Sequence, residues 1–169
     1  MQKTKSEKPR NFNKYAIIVT ACFFLAVSFV TFFHHDYWID GDYLLYSNLG
    51  NDILNGNGKN VKMLNAGPGG PVFYAFLDSL TGDALLNAKL ISLLGGTGIV
   101  ALSYLIIKNI FGSKIALVGQ LFVVFSPRMD IISLQTLNEI IPIFLIFGSF
   151  FFITKNQLKL SPIIITGIL

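Results

Sequence analysis

The sequence predicts an all-α fold, a polytopic transmembrane helix bundle of four spans plus a truncated fifth, with short interfacial helices in the first outer loop. Three observations predict it. Of 169 residues, 53% are hydrophobic and only 13% charged, against about 25% charged in an ordinary soluble domain. Long uncharged apolar runs, rich in the 16 phenylalanines, recur between short polar turns. Lysine and arginine fall at alternate ends of those runs. A chain with so few polar side chains cannot cover a globule with water-facing surface, which excludes a soluble enzyme, a nucleic-acid module and a disordered protein. The net charge of +4 is no nucleic-acid footprint, because the basic residues do not gather on one face. Cys22 stands alone inside an apolar run and forms no internal disulfide.

Residues 1–15 form a basic tail with Lys3, Lys5, Lys8, Arg10 and Lys14. The first span, 16–33, carries no charge; at about 1.5 Å per residue it is roughly 27 Å long, enough for one crossing. No small-residue cleavage site follows, so it reads as an uncleaved signal anchor. An outer loop covers 34–83. The second span is expected over 84–107, the third over 115–133 and the fourth over 138–154. The third has only 13 apolar residues before Arg128 and is expected to continue to about Ile132 to reach across. A fifth span starts at 160–169 and breaks off, so the expectation is a fragment of a larger multi-span protein. With the N-terminus in the cytoplasm of a multi-pass cell-membrane protein, nine of the 13 basic residues lie inside, as the positive-inside bias requires. The acids do the reverse. Only Glu7 is inside, while Asp36, Asp40, Asp42, Asp52, Asp78, Asp83, Asp130 and Glu139 lie on or near the outer side. They read as solvated loop surface or as groups for chemistry or cation binding.

The outer loop is far longer than an ordinary connection. Leu45, Leu49 and Ile53 at four-residue spacing, with Tyr46 beside them, predict a short amphipathic helix, which Asn55-Gly-Asn-Gly ends. A second helix follows Gly67-Pro-Gly-Gly-Pro71, with Pro71 in its first turn and Gly82 at its stop. Its start is either a structural turn or a phosphate seat. Asp40-Gly-Asp42 sits just beyond the first span. Such a carboxylate can accept a proton from a hydroxyl nucleophile or bind a divalent cation. No cofactor is required by the sequence, and a divalent cation is the one candidate. His34-His35-Asp36 has ligand types but no second cluster, and reads as interface before metal. Near the next outer boundary, Arg128 either snorkels or pairs with Asp130, or it holds a lipid phosphate. Glu139 either complements the dipole at the start of the fourth helix or joins the site.

In order, Asp40-Gly-Asp-Tyr-Leu-Leu-Tyr46, Gly69-Gly-Pro-Val-Phe-Tyr74, Ala88-Lys-Leu-Ile-Ser-Leu-Leu-Gly95, Tyr104-Leu-Ile-Ile-Lys-Asn-Ile-Phe-Gly112, Phe125-Ser-Pro-Arg128 and Thr136-Leu-Asn-Glu139 resemble the N-terminal part of the GT-C glycosyltransferases. The likeness is to the dolichyl-phosphate-mannose protein mannosyltransferase and aminoarabinose-transferase branch, over nearly the whole chain from Ala16. It implies an inverting enzyme that passes a sugar from a polyprenyl-phosphate-linked donor to a protein, lipid or glycan acceptor at the extracytoplasmic face, with the bilayer and no nucleic acid as its setting. It implies Asp42 as the catalytic base or acceptor-orienting group, with Tyr46 following at the usual distance and Asp40 as second choice. It places Arg128, Glu139 and Tyr46 at the donor phosphate or the active-site lining. Two departures are visible: a glycine separates Asp40 from Asp42 where the family often has adjacent acids, and family members carry several more spans. The competing class is a non-enzymatic multi-span protein, a transporter half or complex subunit, in which Gly95-Gly96-Thr97-Gly98 is a helix-packing surface.

Overall fold

The computed structural model describes residues 11–33, 41–56, 69–135 and 139–155, and of residues 41–44 and 69 the backbone alone. All regular structure among them is helical: α1 (Phe12–Phe33), α2 (Gly41–Leu54), α3 (Gly69–Thr81), α4 (Ala84–Phe111), α5 (Ser113–Val124), α6 (Pro127–Leu134) and α7 (Ile140–Lys155). Two of these, α1 with 22 residues and α4 with 28, are long and apolar enough to cross a membrane; a third crossing results if the bent pair α5–α6 counts as one. The α7 helix is apolar but has only 16 residues, about 24 Å of rise.

The centre of the bundle is α4, which packs against α1, α3, α5, α6 and α7. Its start follows from Asp83, whose carboxylate caps the helix by accepting the Leu86 N–H at 3.0 Å. Its end follows from Gly112, held at φ +84°, where a side chain would be strained. Gly82 does the same for α3, at φ +74° with its N–H on the Asp78 carbonyl, and is the helix stop the sequence predicts. Small residues let the neighbours approach. A Cβ on Gly95 would stand 2.6 Å from Ile140 of α7, and one on Gly96 or Gly98 would collide with Ser133 or Phe144. The glycine run is therefore a close-packing surface. The core joins Phe23 and Val27 of α1, Leu93, Ile99 and Val100 of α4, Met129 and Ile132 of α6, and Ile140.

Between 115 and 133, where the sequence reads as one helix, the chain makes two that meet at 63°. Pro127 is the cause. It supplies no N–H to continue the ladder and pushes the residue before it out of helical conformation; Ser126 is extended at φ −77°, ψ 120°. The Ser126 carbonyl then restarts the chain as α6 by accepting from Met129 and Asp130. Outward faces are apolar: Ile17, Phe29, Phe122 and Phe125 are all more than half exposed, a pattern that suits lipid and not water.

Polar side chains inside the bundle are few and tie helices together. Gln120 of α5, fully buried, donates from Nε2 to the Ala16 carbonyl at 3.2 Å and to Thr20 Oγ1 at 2.9 Å, both on α1. Tyr104 donates to Asn13 Oδ1 at 2.7 Å, Asn109 donates to Thr154 Oγ1 at 3.3 Å, and Ser92 reaches the Gln135 carbonyl at 2.8 Å. These pairs fix which ends lie together. The start of α1, the end of α4, the start of α5 and the end of α7 share one end of the bundle; α2, α3, α6 and Glu139 share the other.

Candidate functional site

At that second end, α2 and α3 form an antechamber against the start of α4. They touch closely because Gly50 lies under Pro71; a Cβ there would collide with the Pro71 carbonyl. The Asp78 carboxylate is the knot. Ser47 of α2 donates to its Oδ2, and Asn87 of α4 donates to its Oδ1 at 2.8 Å while also reaching Thr81 Oγ1 at 2.7 Å. One acid thus joins three helices, with Ser47 and Asn87 both buried. Because these donors are buried, the acceptor is costly to remove: each would lose that partner away from water.

Beside the knot, a groove of about 620 Å³ is lined by Tyr46 of α2, Gly70, Phe73 and Tyr74 of α3, and Glu139, Ile141, Pro142 and Leu145 at the start of α7. Tyr46 and Tyr74 meet edge to face with ring centroids 6.3 Å apart, a favoured aromatic geometry. Tyr74 is buried, and desolvation, with the neighbouring Tyr46 adding to it, pushes its phenol up to about 12. It is a neutral hydrogen-bonding group at physiological pH, not a base.

Glu139 sits at the foot of α7, its carbonyl accepting the Ile143 N–H, and its side chain turns to Arg128: Nη2 donates to Oε2 at 3.3 Å. Both partners are more than half exposed, 66% and 58%. An ion pair so exposed is worth about 0–1 kcal/mol, so Arg128 can exchange Glu139 for another anion at little cost. Asp130, the partner considered from sequence, faces elsewhere, into a groove between α1 and α5 with Cys22, Phe125 and Leu134.

The predicted site residues therefore divide. Tyr46 and Glu139, far apart in sequence, line one groove, and Arg128 stands at its rim on Glu139. Asp42 lies in the first turn of α2, the helix that carries Tyr46. Asp40, His34, His35 and Asp36 lie outside the described residues, as do Gly67 and Pro68 of the turn weighed as a phosphate seat. Among the described residues no group of three or more His, Cys, Asp or Glu side chains is placed to hold a metal. Two outer acids have structural work: Asp83 caps α4 and Asp78 ties α2, α3 and α4. Sequence reasoning missed the Asp78 knot and the Tyr74 wall. The usable signal was Tyr74 one turn before Asp78 on the same helix, both pointing back across Gly50 to α2.

The described residues thus define an all-helical fold with two helices, or three if α5 and α6 count as one, long and apolar enough to cross a membrane, and an aromatic, carboxylate-edged groove at one end. Comparison with family models, curated proteins and solved structures gives no match.

Proposed function

We propose that the chain belongs to an integral-membrane glycosyltransferase of the GT-C type, with α1, α4, the α5–α6 pair and α7 as four crossings and the N-terminus on the cytoplasmic side of the cell membrane. The observation that carries the reading is the shared groove: Tyr46 and Glu139, which the resemblance sends to the active site, line one apolar trough with Phe73, Pro142 and Leu145. A prenyl chain suits such a wall, and a phosphate suits Arg128 at its rim. In the reaction, Asp42, with Asp40 as second choice, accepts the proton of an acceptor hydroxyl as its oxygen attacks the sugar carbon that bears the phosphate. The bond to the phosphate oxygen breaks with inversion, and the polyprenyl phosphate leaves with its charge balanced by Arg128, released from Glu139. A divalent cation near Asp40 and Asp42 is the one cofactor this chemistry would admit.

A photoactivatable polyprenyl phosphate tests the assignment. Crosslinks are expected in the peptides carrying Tyr74 and Leu145, and Pro142→Trp, which fills the trough, should suppress them. Crosslinks confined to other helices would sink it. Orientation is read separately with Cys22 replaced by Ser. An impermeant thiol reagent should label Ser79→Cys and spare Ser113→Cys in intact cells; the reverse pattern would invert the topology.

The second reading, a transporter half or complex subunit, draws on Gln120, a buried amide in the bundle with its Oε1 lacking a partner among the described residues. A transporter needs polar groups that meet cargo within the membrane. The Gln120 amide nitrogen is spent on α1, and Oε1 is enclosed, which suits interhelical packing better than cargo.

A further inference from the structure

The opposite end of the bundle carries a feature that the transferase reading does not use. A groove of about 490 Å³ runs between α1 and α4, walled by Ala16, Ile17, Phe24, Ala101 and Leu105 and closing at Lys108. From Thr97 to Lys108, both lining it, α4 rises roughly 16 Å. That is about half of the 30 Å hydrocarbon core, the depth of one leaflet. The wall is almost wholly apolar, so it offers nothing to a polar cargo along its length.

Its mouth is different. Lys108 is the one charged residue in the lining. The other described charges at this end are Lys14, Lys114 and Lys155; every described acid side chain belongs to the opposite end, and no described carboxylate pairs with Lys108. Beside it, Asn13 accepts the Tyr104 hydroxyl through Oδ1, and no described group takes its Nδ2 donors. An ammonium and an amide N–H₂ therefore both line this end of an acyl-deep trough. Basic pockets between transmembrane helices select anionic headgroups.

We propose that the α1–α4 groove seats an acyl chain of an anionic phospholipid, from the leaflet at which α1 begins, with the lipid phosphate held by Lys108 and Asn13. Charge complementarity fixes the headgroup class. A zwitterionic lipid fills the trough equally well but brings a cation to a face that already holds four lysines.

Native mass spectrometry of the purified protein, with phosphatidylglycerol and phosphatidylcholine of identical chains, tests this. Wild type should retain phosphatidylglycerol about fivefold more strongly, the scale of one lysine contact. Lys108→Gln should bring the two lipids level, whereas Lys155→Gln, away from the groove, should keep the preference. Ile17→Trp, at a rim position 69% exposed and so tolerant of size, should weaken retention of both lipids. Inorganic phosphate should not displace the bound lipid. Equal retention of both lipids by wild type, a preference that survives Lys108→Gln, or displacement by free phosphate would each overturn the proposal. So would undiminished binding by Ile17→Trp, which would place the lipid outside the groove.

Discussion

At one end of the bundle every described charge is a lysine, and the helices there are pinned by neutral pairs, Tyr104 to Asn13 and Asn109 to Thr154. At the other end acids are fixed by hydrogen bonds, Asp78 by Ser47 and Asn87 and Asp83 by its own helix, and the one described ion pair, Arg128 with Glu139, is loose and wet. The difference teaches where function can reside at low cost. Lysines with no carboxylate partner among the described residues suit an external anion such as lipid. At the acidic end the tied carboxylates hold architecture, which leaves the exposed pair of Glu139 and Arg128 as exchangeable.

The comparison breaks most sharply at Asp42. If that end performs transfer, Asp42→Asn should lower turnover about 10²–10⁴-fold, the usual cost of a lost general base, with membrane insertion unchanged. Lys114→Gln at the lysine end should leave turnover within error. A donor-turnover assay on membranes decides it, and wild-type turnover by Asp42→Asn passes the role to Asp40.

Next come changes that attack architecture. Gly96→Leu pushes a branched side chain into Ser133 and Met129, and overpacking of this kind costs about 1–3 kcal/mol or more. We expect a lowered melting temperature in detergent at both ends alike, since α4 serves both. Asp78→Ala should cost about 1–3 kcal/mol by stranding the buried donors of Ser47 and Asn87. Here the loss is local: protease should reach α2 and α3 before the rest of the bundle. Uniform loosening would mean that the knot does not isolate the antechamber.

Arg128→Lys is subtler. A lysine snorkels as well as arginine but does not reproduce the planar fork. Insertion should be intact and the apparent KM for the lipid-linked sugar raised, whereas unchanged donor kinetics would reduce Arg128 to an anchor. The smallest effect is at high pH. The folded-state pKa of Tyr74, about 12, lies above the ordinary value of about 10. Its contribution to stability is therefore complete below about pH 10 and is lost as pH rises from there toward 12. Ultraviolet titration of phenolate should show a step near pH 12 that Tyr74→Phe removes; a step near pH 12 that persists in Tyr74→Phe belongs to another residue.

What the sequence made legible was the apolar period and its punctuation. The α1 and α4 helices, the Gly82 stop and the Pro71 start all follow from local chemistry, because runs, glycines and prolines act where they stand. The partnership of Asp78 with Ser47 and Asn87 was not legible, since it depends on how α2 folds back over α3, and a lone aspartate in an outer loop looks like solvated surface. Arg128 and Glu139 were singled out separately, but only the fold makes them neighbours. The Ser-Pro at 126–127 was read as an outer loop after a helix continuing to about 132; its power to bend that helix lay in the proline rule, overridden by the need for span length. Gln120 sits in an apolar run, and its reach to α1 required knowing that α1 and α5 lie side by side.

The bend at Ser126 has a mechanical consequence. The rise of α4 is about 42 Å and that of α5, before the turn, about 18 Å. A bilayer cannot match both heights without tilting its own surface, at fractions of a kcal/mol for each ångström of mismatch. The α5–α6 pair, bent by 63°, therefore offers a shorter apolar wall than a straight helix of the same residue count.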